Sequence, residues 1–432
     1  MPACPALFIS APASGQGKTT VTAGLALLHR QQGRKVRVFK TGPDFLDPKI
    51  LERASGAPVL SLDLWMVGEA QCRRLLADAA QDADLILIEG VMGLFDGTPS
   101  SADIATTFGV PVVAVISGKS MAQTFGAIAA GLARYRPGMP MHGVLANHVG
   151  SARHAQLLQE GMPGDLRWLG HLGTSDEMTL PARHLGLHQA EEIERLGDRM
   201  AATARALADT ALAALPAPVD FEAPPSPVLP RLLDGKQIAI ARDTAFSFVY
   251  AQNIRLLESL GARVAYFSPL ANDAVPEATD ALFLPGGYPE LHAASLAENA
   301  VSAASIRAHA AAGKPIVAEC GGMLYLLDRL TDTAGASSPM LGLLPGHATM
   351  QTRLAALGMQ QLDTTHGPMT GHTFHYSNIE TPLTPIYRAT RPGTGTAGER
   401  VFRVGAIVAT YFHGYWPSNP ALTAALFHGS AF

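Results

Sequence analysis

A chain of 432 residues is too long for one ordinary core, so two domains of about 200 residues each are expected. Hydrophobic residues make up 47% and charged residues 16%, and the formal net charge of −4 supplies no basic field, which argues against nucleic acid as a main partner. Three scattered cysteines (Cys4, Cys72 and Cys320) rule out a disulfide framework and a Cys-x-x-Cys metal site; with no long apolar run for a membrane span and no visible secretory signal, a soluble cytoplasmic protein is expected.

In chain order, residues 6–10, 36–40, 85–90, 110–117 and 143–147 form near-continuous apolar runs bounded by turn residues, the pattern of strands buried on both faces of a parallel sheet. Between the first two, residues 18–32 place Val21, Leu25 and Leu28 on one helical stripe and stop at Gly33. This βαβ series predicts a doubly wound α/β domain. An Ala-rich helical stretch over 190–215 leads into "PAPVDFEAPPSPVLP" (216–230), whose prolines mark a linker. The strand pattern restarts at 237–243, 262–269, 281–290 and 315–320. The expected organisation is therefore a domain over 1–215, a Pro-rich linker over 216–235 and a second doubly wound parallel-sheet domain over 236–432.

The loop "SAPASGQGKTT" (10–20) joins the first strand to the first helix. Gly15 and Gly17 let backbone N–H groups converge on phosphate, and the helix N-terminus adds its positive dipole end. Lys18 would neutralise the outer phosphates and Thr19 would ligate Mg²⁺. Pro12 stands where the usual phosphate loop has its first glycine, and the strand–loop–helix context carries the assignment instead. Two acidic segments, "KTGPDFLDP" (40–48) and "EGVMGLFDG" (89–97), follow later strands. In open parallel sheets ligands collect at the carboxyl ends of strands, so Asp44, Asp47, Glu89 and Asp96 are expected to converge beside the phosphates, with a divalent cation relieving their repulsion.

In the second half, "PIVAECGGMLYL" runs strand, Cys320, two glycines and helix. That order makes a nucleophile elbow, with a helix N-terminus to favour the thiolate. The glycines of "LFLPGGYPE", Gly287 among them, and Gly321 would supply oxyanion-hole N–H groups. His413, in "YFHGYW", is the expected base. His372 and His375, in "GHTFHY", fall on opposite sides of a strand, which suits active-site or packing roles better than a metal pair.

Taken together, "TGPDFLDP", "EGVMGLFDG", "LPARHLGL", "DTAFSFVYAQN", "PGGYPE", "ECGGMLYL" and "GHTFHYSN" resemble the cobyrinic and hydrogenobyrinic acid a,c-diamide synthases over essentially the whole chain. The resemblance implies an α/β, P-loop, dethiobiotin-synthetase-like domain that binds ATP and a corrinoid, fused to a class I (triad-type) glutamine amidotransferase domain. It implies amidation of the corrinoid a and c acetates in cobalamin biosynthesis, with glutamine as nitrogen donor and ATP and Mg²⁺ as cofactors. By resemblance, Gly15, Gln16, Gly17, Lys18, Thr19 and Thr20 would bind ATP, with Asn147 against the adenine, and Thr19, Asp44 and Glu89 would hold Mg²⁺. Asp47 and Asp96 would handle the corrinoid polycarboxylate or the transferring phosphate, Arg183 and His184 would touch a substrate carboxylate, and Cys320 and His413 would be the glutaminase nucleophile and base.

One departure stands out. Triad enzymes carry His-x-Glu, whereas this chain has His413-Gly414-Tyr415, so another group or the backbone must fix the tautomer of the histidine. Arginine outnumbers lysine 25 to 7, the mark of a GC-rich genome, which favours the cobalt-free substrate, hydrogenobyrinic acid. The alternatives are amidation of another tetrapyrrole such as nickel-sirohydrochlorin, or a partition-type ATPase switch. The latter carries a lysine where this chain has Ala13 and has no use for Cys320 and His413. A homodimer is expected, with neither nucleic acid nor membrane as partner.

Overall fold

In a computed structural model of the protein, the residues described are 1–183, 186–187 and 189–431. They divide into two units, Met1–Ser226 and Pro227–Phe432. Among the described residues no helix is long and apolar enough to cross a membrane.

The first unit is built on seven parallel strands: β1 (Ala3–Ser10), β2 (Val36–Thr41), β3 (Leu60–Leu62), β4 (Leu85–Glu89), β5 (Val112–Ser117), β6 (Met141–Val149) and β7 (Trp168–Gly173). Their order across the sheet is β3-β2-β4-β1-β5-β6-β7. All five residues of β4 are buried, as a strand covered by helices on both faces must be. Helix α1 (Lys18–Gln31) follows β1 and packs Val21, Leu25 and Leu28 against the sheet, while Gly33, at φ 84°, lets the chain turn back. Because β1 is central and its neighbours are β4 and β5, the loop after β1 opens at the point where the winding reverses, the usual place for a ligand in such sheets. The proline-rich segment is not wholly a linker. Pro218–Asp220 pairs antiparallel with the start of β1, Ala3 opposite Asp220.

The second unit departs from a purely parallel sheet. Five strands, in the order Arg263–Phe267, Gln237–Ala241, Ala281–Leu284, Ile316–Glu319 and Ile407–Thr410, are parallel. Beyond Ile407–Thr410 the sheet turns antiparallel through Ala397–Val404, Tyr387–Thr390, Ala356–Thr364, Gly367–His375 and His413–Gly414. Connection length explains the change. Parallel neighbours need a crossover of about a dozen residues or more, whereas Thr364 and Gly367 are joined by a tight turn that only an antiparallel pair accepts. The antiparallel half returns His413 to the sheet opposite His372.

Candidate active sites

In the first unit, the phosphate-loop residues sit between β1 and α1 as expected. Gly17 has φ 92°, and a Cβ there would collide with the Asn147 side chain, so only glycine fits. Asn147 Nδ2 donates to the Gln16 carbonyl (2.9 Å), and the Ser117 N–H donates to Gln16 Oε1 (2.8 Å). Ser117 of β5 and Asn147 of β6 therefore brace the loop through Gln16. Lys18, at the start of α1, donates from Nζ to Met92 O (2.6 Å) and Ala13 O (3.2 Å). Burial, joined by the nearby Lys40 ammonium, holds its pKa below the ordinary lysine value.

Parallel pairing sets Lys40 of β2 beside Glu89 of β4. Lys40 Nζ lies 2.6 Å from Asp47 Oδ2, 2.7 Å from Glu89 Oε1 and 3.6 Å from Asp44 Oδ2. Thr19 Oγ1 donates to the same Glu89 oxygen (3.0 Å). Asp44 Oδ1 accepts from the N–H groups of Leu46 (2.9 Å) and Asp47 (3.2 Å), which ties the two aspartates to one turn. Burial alone would lower Lys40, but Asp47, Glu89 and Asp44 outweigh it and hold the ammonium well above its ordinary range. Burial, with the Asp47 charge, raises Asp44 from 3.8 to about 7, and burial likewise raises Glu89. For Asp47 burial is the largest influence and raises the pKa, but Lys40 together with hydrogen bonds involving Asp44 and Glu89 outweighs it and the pKa falls.

Three of the four expected carboxylates thus meet on Lys40. Asp96 does not join them: its Oδ2 accepts from Gly93 N–H (2.9 Å) in its own turn, and its charge reaches Lys18 instead. Arg183 ends the two-residue strand Ala182–Arg183, paired with Gly186–Leu187. His184 lies outside the described residues. Thr20 follows Thr19 in α1.

Among the described residues no three His, Cys, Asp or Glu side chains gather into a metal cage. The first unit offers an open set instead. Thr19 Oγ1 adjoins Glu89, whose other oxygen, Oε2, is buried without a hydrogen-bond partner.

In the second unit, Cys320 caps the helix Gly321–Leu326 with φ 44° and ψ −107°, a left-handed conformation that a non-glycine residue adopts only under restraint. The restraint is visible. Cys320 N–H donates to Thr410 O (2.7 Å) on the neighbouring strand, and a Cβ at Gly322 would collide with the Leu284 carbonyl. The two glycines expected to stabilise an oxyanion are neighbours, since a Cβ on Gly321 would lie 2.9 Å from the Gly287 nitrogen. The thiol, however, is not the preformed thiolate that the elbow suggested. Cys320 is only 5% exposed, and burial, reinforced by Glu290, pushes its pKa well up.

His413 stacks on His372 with ring centroids 5.0 Å apart and 19° between planes, and the Tyr250 hydroxyl lies 3.0 Å from His372 Nδ1. Burial and the neighbouring His413 keep His372 well below the ordinary histidine value, hence neutral. Glu319 Oε1 accepts from Gly414 N–H (3.2 Å), and its Oε2 stands 3.6 Å from His413 Nδ1. On the other side of the strand, His375 Nε2 lies 3.2 Å from Glu399 Oε1, Thr373 Oγ1 donates to the same oxygen (3.1 Å), and the His375 ring stacks on Tyr411 at 3.7 Å. The alternation expected of His372 and His375 therefore divides them between two networks. Sequence reasoning passed over Lys40, Glu319 and Glu399. Glu319 carried a usable signal, a charged residue ending an otherwise apolar strand.

Two family profiles match the chain: "CobQ/CobB/MinD/ParA nucleotide binding domain" over residues 7–187 and "CobB/CobQ-like glutamine amidotransferase domain" over residues 237–421. The first makes the N-terminal unit a nucleotide-binding domain. The chain is 58% identical to the hydrogenobyrinate a,c-diamide synthase of Pseudomonas aeruginosa, over 98% of its own length and 97% of the relative's. It is also 58% identical to the enzyme of that name from Stutzerimonas stutzeri, over 98% of both chains. The cobyrinate a,c-diamide synthase of Herminiimonas arsenicoxydans is 49% identical over 98% of this chain and 96% of its own.

Proposed function

The chain belongs to the family of cobyrinate and hydrogenobyrinate a,c-diamide synthases, and from that membership we propose that it amidates the a and c acetate carboxylates of hydrogenobyrinate, with glutamine as nitrogen donor and ATP as activator. The single observation that carries the reading is the full-length match to relatives of that name, with a nucleotide-binding half and an amidotransferase half in one chain. The preference for the cobalt-free substrate rests on the two relatives at 58% identity, both named for hydrogenobyrinate.

In the second unit, His413 takes the Cys320 proton as sulfur attacks the glutamine side-chain amide, and returns it to the departing nitrogen. Ammonia leaves and a glutamyl thioester remains, which water hydrolyses to glutamate and free thiol. Gly287 and Gly321 offer N–H groups to the oxyanion.

In the first unit, a substrate carboxylate attacks the γ-phosphorus of ATP, giving an acyl phosphate and ADP, and ammonia then displaces phosphate to form the amide. Two anions must meet, so cationic groups dominate the catalysis. Lys18 would neutralise the outer phosphates, and Lys40, paired with Asp44, Asp47 and Glu89, would restrain their repulsion of them. The unpartnered Glu89 Oε2 and the adjoining Thr19 hydroxyl are hard oxygen donors that fit Mg²⁺, which Thr19, Asp44 and Glu89 would hold. When bound, Mg²⁺ supplies charge neutralisation at the phosphates. The same chemistry repeats on the second acetate.

Isotope transfer tests the reading. With heavy oxygen in the substrate carboxylates, one label is expected in inorganic phosphate for each amide formed. Label in AMP, with pyrophosphate released, would mean adenylation and overturn the acyl-phosphate route.

A further inference from the structure

We propose that Glu319 is the positioning residue for His413 in glutamine hydrolysis, filling the place of the carboxylate that the His413-Gly414-Tyr415 sequence lacks. The inference rests on the reading above, in which Cys320 and His413 cleave glutamine.

Topology makes the arrangement. Glu319 ends the strand Ile316–Glu319 and pairs with Thr410 of the neighbouring parallel strand; three residues beyond Thr410 the chain reaches His413. Glu319 is 5% exposed, and its carboxylate touches the histidine's surroundings at two points. Oε1 holds the Gly414 N–H at 3.2 Å, which fixes the backbone just after the ring, and Oε2 faces Nδ1 at 3.6 Å. His372 covers one face of the ring at 5.0 Å, Phe248 stands at 6.4 Å, and Gly286 is so close to Cε1 that a Cβ there would collide. The ring is thus held by packing, and Glu319 selects its proton arrangement.

A carboxylate at Nδ1 favours the tautomer with the proton on Nδ1 and leaves Nε2 bare to receive the thiol proton. The imidazolium that forms then gains an opposite charge beside it, and the 3.6 Å separation shortens to a hydrogen bond as catalytic contacts tighten with substrate. Glu399 does not take this place, because it faces His375 and Thr373. Glu319 also adjoins the nucleophile in the chain, so one elbow presents both the thiol and the carboxylate that directs its base.

The test uses the full-length protein. In steady-state glutamine hydrolysis, Glu319→Gln keeps the side chain's size and an oxygen for Gly414 N–H but removes the charge. Its kcat is expected to fall about 10²-fold or more, short of or near the roughly 10⁴ lost when a triad aspartate becomes its amide. KM for glutamine should stay within about threefold, and Glu319→Asp should recover part of the lost kcat. Nitrogen-15 spectra of histidine-labelled protein, with His413 assigned by its loss in His413→Ala, should show a protonated Nδ1 in the wild type and a mixture of tautomers in Glu319→Gln. A Glu319→Gln kcat within threefold of wild type, or a wild-type His413 with bare Nδ1, overturns the proposal. The wild-type spectrum decides even if the variant fails to fold. Wild-type protein that hydrolyses no glutamine at all would overturn the functional reading itself.

Discussion

At the ends of β2 and β4 a buried lysine gathers three carboxylates within 3.6 Å. At the end of Ile316–Glu319 conformation is the defining feature instead: Cys320 is held left-handed beside two glycines without room for a Cβ, and burial raises the pKa of its thiol. The first arrangement is a balance of charges that pH, cations and ligands can tip. The second is a matter of shape, in which backbone restraint and close packing set where the thiol stands. The same kind of substitution should therefore act differently in the two units.

The largest effect is expected where shape presents the chemistry. Cys320→Ser is nearly isosteric but lacks an acidic thiol, and should lose glutamine hydrolysis by at least about 10⁴-fold. Amidation with concentrated ammonia should persist, since the first unit does not use the thiol; its loss would show that the two sites are not chemically separate. Lys18→Ala removes charge where two anions meet and should cut synthesis by about 10³-fold, with glutamine and with ammonia alike. Normal ammonia-dependent synthesis by that variant would remove Lys18 from the activation step.

The next effect concerns stability. Lys40→Met strands Asp47 and Glu89 with uncompensated charge, and breaking a buried pair in this way costs about 3–5 kcal/mol. Urea unfolding should show the loss in EDTA-treated protein and a smaller one when Mg²⁺ is present. A midpoint equal to wild type would mean that the cluster is not held by its charges.

The smallest effect is the most specific to a charge balance. Asp44 is raised from 3.8 to about 7, chiefly by burial, so folding takes up a proton between those values and the folded state loses stability as pH rises through them. Asp44→Asn escapes that loss. In metal-free protein its melting temperature should exceed wild type by a few degrees at pH 8, and the advantage should shrink toward pH 4. A pH-independent difference would contradict the raised value.

Much of this was legible in the sequence, because apolar runs and glycine-rich turns are local signals. β1, the phosphate loop, α1 and the Cys320 elbow are each encoded within about a dozen neighbouring residues. What escaped depends on pairing between distant segments. Glu319 adjoins Cys320 in sequence, yet its partners His413 and Gly414 lie more than ninety residues away and arrive only because Ile316–Glu319 and Ile407–Thr410 are neighbours. Lys40 reads as the polar end of a strand until β2 and β4 are set in register. Of the antiparallel half only the strand carrying His372 and His375 was read, because half-exposed strands carry weaker apolar runs than buried parallel ones, as in the mixed burial of Ala356–Thr364.

The short strand Pro218–Asp220 has a practical consequence for anyone cutting the protein into halves. It covers Ala3–Pro5, the part of β1 that extends past its pairing with β4 and β5, and Cys4 in that stretch is fully buried with its thiol against the Ala83 carbonyl. A fragment ending at residue 215 would leave three residues with open backbone groups at an edge, a template for pairing between copies. A fragment carried past Asp220 keeps that edge closed.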